Sequence, residues 1–146
     1  MANPFGGFRE LKAIARARKK KKSNAGQSVV EFALTLPLLL FIALGVLDLG
    51  RVYFAYMTVI NATREGARYG AANPNNNSGI ISHATNEATG SGITLSNVTV
   101  SCASGCTLGN PIRVTVSYNF QLLTTYILGG TTIPLQAFTE MEIFGQ

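Results

Sequence analysis

A glycine, a glutamine and a carboxylate five residues beyond the glycine give this chain its one arrangement with evident chemistry. Gly26 is followed by Gln27, and Glu31 stands near the start of an otherwise uncharged run from Val29 to Leu47. A carboxylate in such a setting costs a few kcal/mol on insertion into hydrocarbon, on the order of 2.5–3.5 at the centre of a span, and so needs a partner. Cleavage after Gly26 would create one, because the new amine of Gln27 lies one helical turn from Glu31. That amine can pair with its own Glu31 or with Glu31 of a neighbouring copy, fixing register between helices. Snorkelling of Glu31 to the nearby interface is the plainer alternative. An N-terminal glutamine can also cyclise, which would remove the positive charge.

Other reactive residue types assemble nothing comparable. Cys102 and Cys106 enclose Ala103-Ser104-Gly105, a loop short enough to bridge as a disulfide in an exported protein. Together with the single histidine, His83, they are too few ligands for a metal site. His83 has no positioned nucleophile or acid and reads as a surface residue of a short helix. Glu140 and Glu142 alternate with apolar residues and read as the solvated face of a strand. These residues supply no catalytic set, so the expectation is a non-enzymatic chain without cofactor or small-molecule substrate.

The elements that would position Gly26 and Glu31 come next. Eight of the twelve lysines and arginines fall within residues 1–26, including Lys19 to Lys22, so the net charge of +5 belongs to the leader. The remainder is slightly acidic, which gives a nucleic-acid-binding body no support. A basic leader ahead of an apolar run follows the positive-inside rule: the N-terminus is expected in the cytoplasm, and residues from about Asp48 onward outside. As a helix, Val29 to Leu47 would measure about 28 Å, near the ~30 Å hydrocarbon thickness of a bilayer. Ala43-Leu44-Gly45 offers a rival site for signal peptidase. The apolar run is longer than a secretory signal requires, however, and the helical pattern continues past Gly45.

Three regions are expected: a basic cytoplasmic leader, 1–26, removed on maturation; a long helix, 27–72, spanning the membrane at about 29–47; and an extracytoplasmic head, 73–146. Leu49, Val52, Tyr53, Tyr56, Val59, Ile60, Thr63, Ala67 and Gly70 recur at helical spacing and are expected to form one apolar stripe. Asp48 and Arg51 can pair at the membrane edge, and Glu65 can pair with Arg68. Pro37 removes an amide and crowds the carbonyl of Ala33, which predicts a kink or local melt, either a tolerated irregularity or a hinge. Asn73-Pro74-Asn75-Asn76-Asn77-Ser78 ends the helix. Ser78 to Gly90 predicts a short helix. Leu95 to Ser101 predicts a strand, with a bulge near Asn97. Ile112 to Phe120 and Ile133 to Ile143 alternate as two more strands. The fold class is therefore α+β, a long helix packed on a small antiparallel three-stranded sheet. Leu122, Leu123, Tyr126, Ile127 and Leu128 are expected chiefly to complete the core, with bilayer or subunit contact as the alternative.

Three segments carry a resemblance. Gly26-Gln27-Ser28-Val29-Val30-Glu31-Phe32-Ala33-Leu34-Thr35-Leu36-Pro37, then Gly45-Val46-Leu47-Asp48-Leu49-Gly50-Arg51, then Asn61-Ala62-Thr63-Arg64-Glu65-Gly66-Ala67-Arg68 resemble the TadE-like family, minor pseudopilins of the Tad (Flp, type IV-related) pilus machinery. The resemblance covers about residues 26–72. It implies a pilin-like fold and cleavage by prepilin peptidase between Gly26 and Gln27. It also implies an intersubunit role for Glu31, with Phe32 and Pro37 beside it, and partnership with membrane lipid and other pilins. Phe32 stands where related Flp pilins usually carry tyrosine, and the chain is far longer than a major Flp subunit. Both features point to a minor component. The competing expectations are a bitopic protein whose outer domain binds something and never polymerises, or a secreted adhesin-like domain freed near Gly45.

Overall fold

The computed structural model describes the backbone of residues 6–130 and 132–145, and side chains from residue 26 onward except 128, 131 and 146. The basic side chains of the leader therefore lie outside the described residues. The elements run α1 (Gly6–Ala72), α2 (Asn77–Gly90), β1 (Asn97–Ser101), β2 (Pro111–Phe120), α3 (Thr125–Leu128) and β3 (Ile133–Glu142). Two compact units are present, Met1–Ala43 and Leu44–Gln146. In the first, α1 does not begin at Gln27 but passes through it from Gly6. The sequence explains this: Leu11 to Lys22 is rich in alanine, lysine and arginine, all good helix formers. The helix is also unbroken at Pro37, so the expected local melt does not occur.

In the second unit, the end of α1 packs with α2 on a three-stranded antiparallel sheet of order β1-β2-β3. The fold is α+β, as the alternation and helical periodicity require. Strand β2 is central. It pairs Asn97 with Ser117 through Ser101 with Arg113 on one side, and Pro111 with Glu142 through Phe120 with Ile133 on the other. The β1 register is regular from Asn97 onward, but the Ser96 amide also donates to the Ser117 carbonyl at 2.9 Å, so Ser96 and Asn97 both stand opposite Ser117. This two-against-one pairing at the start of the strand is the irregularity that the change of parity near Asn97 predicts, and Leu95, just before it, packs against the core.

One face of the sheet supplies Ile112, Val114 and Val116 to a core shared with Ile80, Ala84 and Ala88 of α2 and with Val59, Ala62 and Ala67 of α1. A second cluster joins Ala55, Ile93 and Phe120. The buried stripe of α1 differs from the expected one. Val52, Val59, Thr63, Ala67 and Gly70 do turn inward, with Ile60 half-buried, but Leu49 is 71% exposed, Tyr53 68%, and Tyr56 is exposed as well. Ala55, Thr58 and Ala62 take their places. The reason is volume: the sheet lies close to the helix, and small residues let it approach. A Cβ on Gly66 would stand 3.1 Å from both the Ala84 Cβ and the Val114 Cγ1.

Polar groups close the assembly. Thr63 Oγ1 lies 2.7 Å from Thr139 Oγ1, joining helix to β3 inside the core. The Ala71 carbonyl accepts from the amides of Phe144 and Gly145, both at 3.0 Å, so the C-terminal segment occupies the otherwise open end of α1. Asn76 caps α2 by accepting from the Gly79 amide at 2.9 Å.

Candidate processing and assembly site

Gly26 and Gln27 lie on α1, in the unit that ends at Ala43. Among the described residues nothing comes within 4 Å of the position a side chain on Gly26 would first occupy. Glycine lowers local helix stability by roughly 1 kcal/mol relative to alanine. The peptide after Gly26 is therefore uncovered by the described residues and follows a residue that weakens the helix locally.

Every residue from Gly26 to Ala43 is exposed, among them Val29, Val30, Phe32, Leu34 and Leu38. An uncovered apolar surface of this extent is stable in hydrocarbon or against other helices, not in water. The helix from Gly26 to Ala72 is long and apolar enough to cross a membrane, which is compatible with a single-pass membrane protein. Glu31 projects from this surface, and among the described residues its carboxylate forms no ion pair. Phe32 is its exposed neighbour. The Thr35 hydroxyl reaches back to the carbonyls of Glu31 at 2.9 Å and Phe32 at 3.2 Å, a pattern that goes with helix bending just ahead of Pro37. Glu31, Phe32, Thr35 and Pro37 thus lie within two turns.

The unit from Leu44 holds polar groups whose roles the sequence conceals. Asp48 was expected only to pair with Arg51, which it does at 3.1 Å. Asp48 is nevertheless only 3% exposed, and its carboxylate accepts from the amides of Leu123 at 2.9 Å and Thr124 at 3.0 Å. It therefore tethers the segment before α3 to the helix. Arg51 also lies over the Phe120 ring, 5.1 Å from its centre. No local pattern announces a contact between residues this far apart in the chain. The signal that could have suggested it is an isolated acid at the end of a long apolar run.

Glu65 and Arg68 form the expected pair, a two-pronged one at 2.9 and 2.7 Å. His83 is a surface residue of the short helix, as expected, with its side chain 44% exposed, but it has partners: its ring stacks on Tyr69 with centres 4.2 Å apart, and its Nδ1 stands 3.3 Å from Glu65. The fork of Arg68 holds the Glu65 carboxyl below its ordinary range; partial burial opposes this, and His83 adds to it. Cys102 and Cys106 form a disulfide with Cα atoms 5.3 Å apart. Asn110 braces the loop by donating to the Ser104 carbonyl at 2.8 Å. Among the described residues of the apolar patch, Leu122 joins a core cluster while Leu123, Tyr126 and Ile127 are exposed; the Leu128 side chain lies outside the described residues. The expectation that the patch completes the core is therefore corrected.

No curated protein and no solved structure matched the chain. Residues 26–68, which hold Gly26, Glu31, Asp48 and the Glu65–Arg68 pair, match the family described as TadE-like protein, a Tad pilus-related family, and this segment of the chain is TadE-like.

Proposed function

We propose that the chain is a structural minor pseudopilin of a Tad/Flp-type pilus, cut by prepilin peptidase after Gly26 and then used in pilus assembly or priming. It is held in the cytoplasmic membrane by the span from Val29 to Leu47, with its leader inside and its head outside. The observation that carries this reading is the position of Glu31: a carboxylate on an uncovered apolar helix, five residues beyond an accessible glycine, within a TadE-like segment. Processing replaces the peptide bond of Gln27 by a cation. In a bundle of such helices, Gln27 of one copy can neutralise Glu31 of the next, while the apolar residues around them pack without directional preference. The ion pair then sets the axial register and the apolar surface supplies the adhesion. Neither function requires catalysis, a cofactor or a small-molecule substrate; the partners are the peptidase, lipid and other pilins.

Substitution of Glu31 tests this. With the peptidase and secretion machinery present, Glu31→Ala is expected to be cut as well as the parent but to be lost from sheared filaments or from the membrane priming complex. Deleting one member of a desolvated ion pair costs about 3–5 kcal/mol, enough to abolish stable incorporation. Normal incorporation of the cut variant would remove Glu31 from the mechanism.

A further inference from the structure

We propose that α3 and the residues just before it are an interfacial foot, which seats Leu123, Tyr126 and Ile127 in the headgroup–acyl boundary of the outer leaflet. The proposal rests on the membrane span assigned above and not on polymerisation. Its first support is position. Asp48 directly follows Leu47, the last residue of the apolar run, and both its oxygens bind the backbone at Leu123 and Thr124. That backbone is therefore held beside the residue that follows the apolar run. An open groove of about 510 Å³ lined by Val46, Leu47, Phe54, Ile93 and Phe120 brings the same end of the sheet beside the final residues of the run.

The second support is the distribution of charge. The sheet runs alongside α1 with Phe120 and Ile133 paired at one end and Pro111 and Glu142 at the other. Val114 to Thr139 contains no charged residue, and the sheet's Arg113, Glu140 and Glu142 stand at the end away from Asp48. At the end beside the span the charges among the described residues are Asp48 and Arg51, and these are paired with each other at 3.1 Å.

The third support is the residues displayed. Tyr126 is 75% exposed and Ile127 59%. A tyrosine with neighbouring aliphatic side chains suits the interface, where the ring is dehydrated and the hydroxyl stays wet. A four-residue helix gains nothing by presenting them to water. A bilayer surface explains the tether, the missing charge and the tyrosine together, whereas a protein partner explains only the apolar side chains.

The chain contains no tryptophan, so a single substitution gives an unambiguous reporter. The full chain carrying Tyr126→Trp, with Ile127→Trp as a second position, would be reconstituted into phosphatidylcholine–phosphatidylglycerol vesicles. Emission would be quenched in turn by phospholipids brominated high on the acyl chain and by aqueous iodide. A seated foot gives several-fold quenching by bromolipid and weak quenching by iodide. Phe144→Trp, at the other end of the head, should show the reverse. Asp48→Asn in the Tyr126→Trp background should weaken bromolipid quenching by loosening the tether. Phe41→Trp reads the span separately. If Phe41→Trp is quenched by bromolipid while Trp at 126 and 127 is quenched by iodide, the foot is refuted and the span stands. If Trp at both positions is shielded from both quenchers, a second copy covers the segment and the proposal fails. If Phe41→Trp is not quenched by bromolipid, the span is wrong and the foot falls with it.

Discussion

Three glycines of α1 sit in different surroundings, and replacing each by alanine separates helix propensity from packing. Alanine is favoured over glycine inside a helix by roughly 1 kcal/mol. At Gly50 nothing lies within 4 Å of the added carbon, so Gly50→Ala should realise most of that gain. At Gly70 the new carbon would meet the Ile112 Cδ1 at 2.9 Å and the Ile80 Cδ1 at 3.1 Å. Both are ends of flexible side chains, and small rotations should leave the change near neutral. Gly66 is the severe case. The contacts there are the Ala84 Cβ and the Val114 Cγ1, both at 3.1 Å, and the Ile80 carbonyl oxygen at 3.5 Å. Ala84 has no rotamer to change, and Val114 belongs to the central strand. Overpacking of this kind costs about 1–3 kcal/mol, which offsets or exceeds the propensity gain and leaves a net loss of about 0–2 kcal/mol. Gly66→Val should lose more than about 3 kcal/mol, because two further methyls enter the same space. The assay is thermal unfolding of the full chain in detergent, followed by the near-ultraviolet tyrosine signal. For a head of this size each kcal/mol moves the midpoint by about 4–8 °C. The predicted order of stability is Gly50→Ala, then Gly70→Ala, then Gly66→Ala, then Gly66→Val. Equal stability of the Gly66→Ala and Gly50→Ala proteins would refute the close docking of α1 on α2 and β2.

Two further perturbations address the head. Cys102→Ser with Cys106→Ser should lower stability by at most about 2 kcal/mol, because a loop this short restricts the unfolded chain only modestly; chemical denaturation of the double variant against the oxidised parent measures it. Glu65 has a depressed folded value against an ordinary 4.5. Its contribution is therefore complete above about pH 4.5 and is lost as pH falls through the lower folded value. Glu65→Gln should flatten that part of the stability–pH curve, and an unchanged acid limb would remove Glu65 from the account.

Much of the architecture was legible because periodicity reports it directly. Ile112, Val114, Val116 and Phe120 alternate, and the structure buries all four on one face of β2. Leu49, Tyr53 and Tyr56 fit the helical spacing of the α1 stripe yet are exposed, because hydrophobicity alone does not decide burial. Where a helix lies close against a sheet, small side chains are selected, so Ala55 and Ala62 were the true markers. The large residues beside them face outward and remain available to lipid or other subunits. Asp48 illustrates a different limit. Its burial is produced by two amides of a segment that folds back from beyond β2, and no local pattern encodes that return. The stacking of His83 is hidden for the same reason, since its partner Tyr69 lies on another helix. The spacing of Gly26 and Glu31, by contrast, is local, and the helix that runs through both preserves it.

The central claim is that proteolysis supplies the amine which neutralises Glu31, and intact mass of the chain from cells with an active prepilin peptidase tests it most directly. The account predicts a chain beginning at Gln27 with its amine uncyclised, and full-length chain when the peptidase is deleted. A chain that keeps Met1 despite active peptidase, one that begins near Val46, or one whose Gln27 has lost ammonia by cyclisation would contradict it.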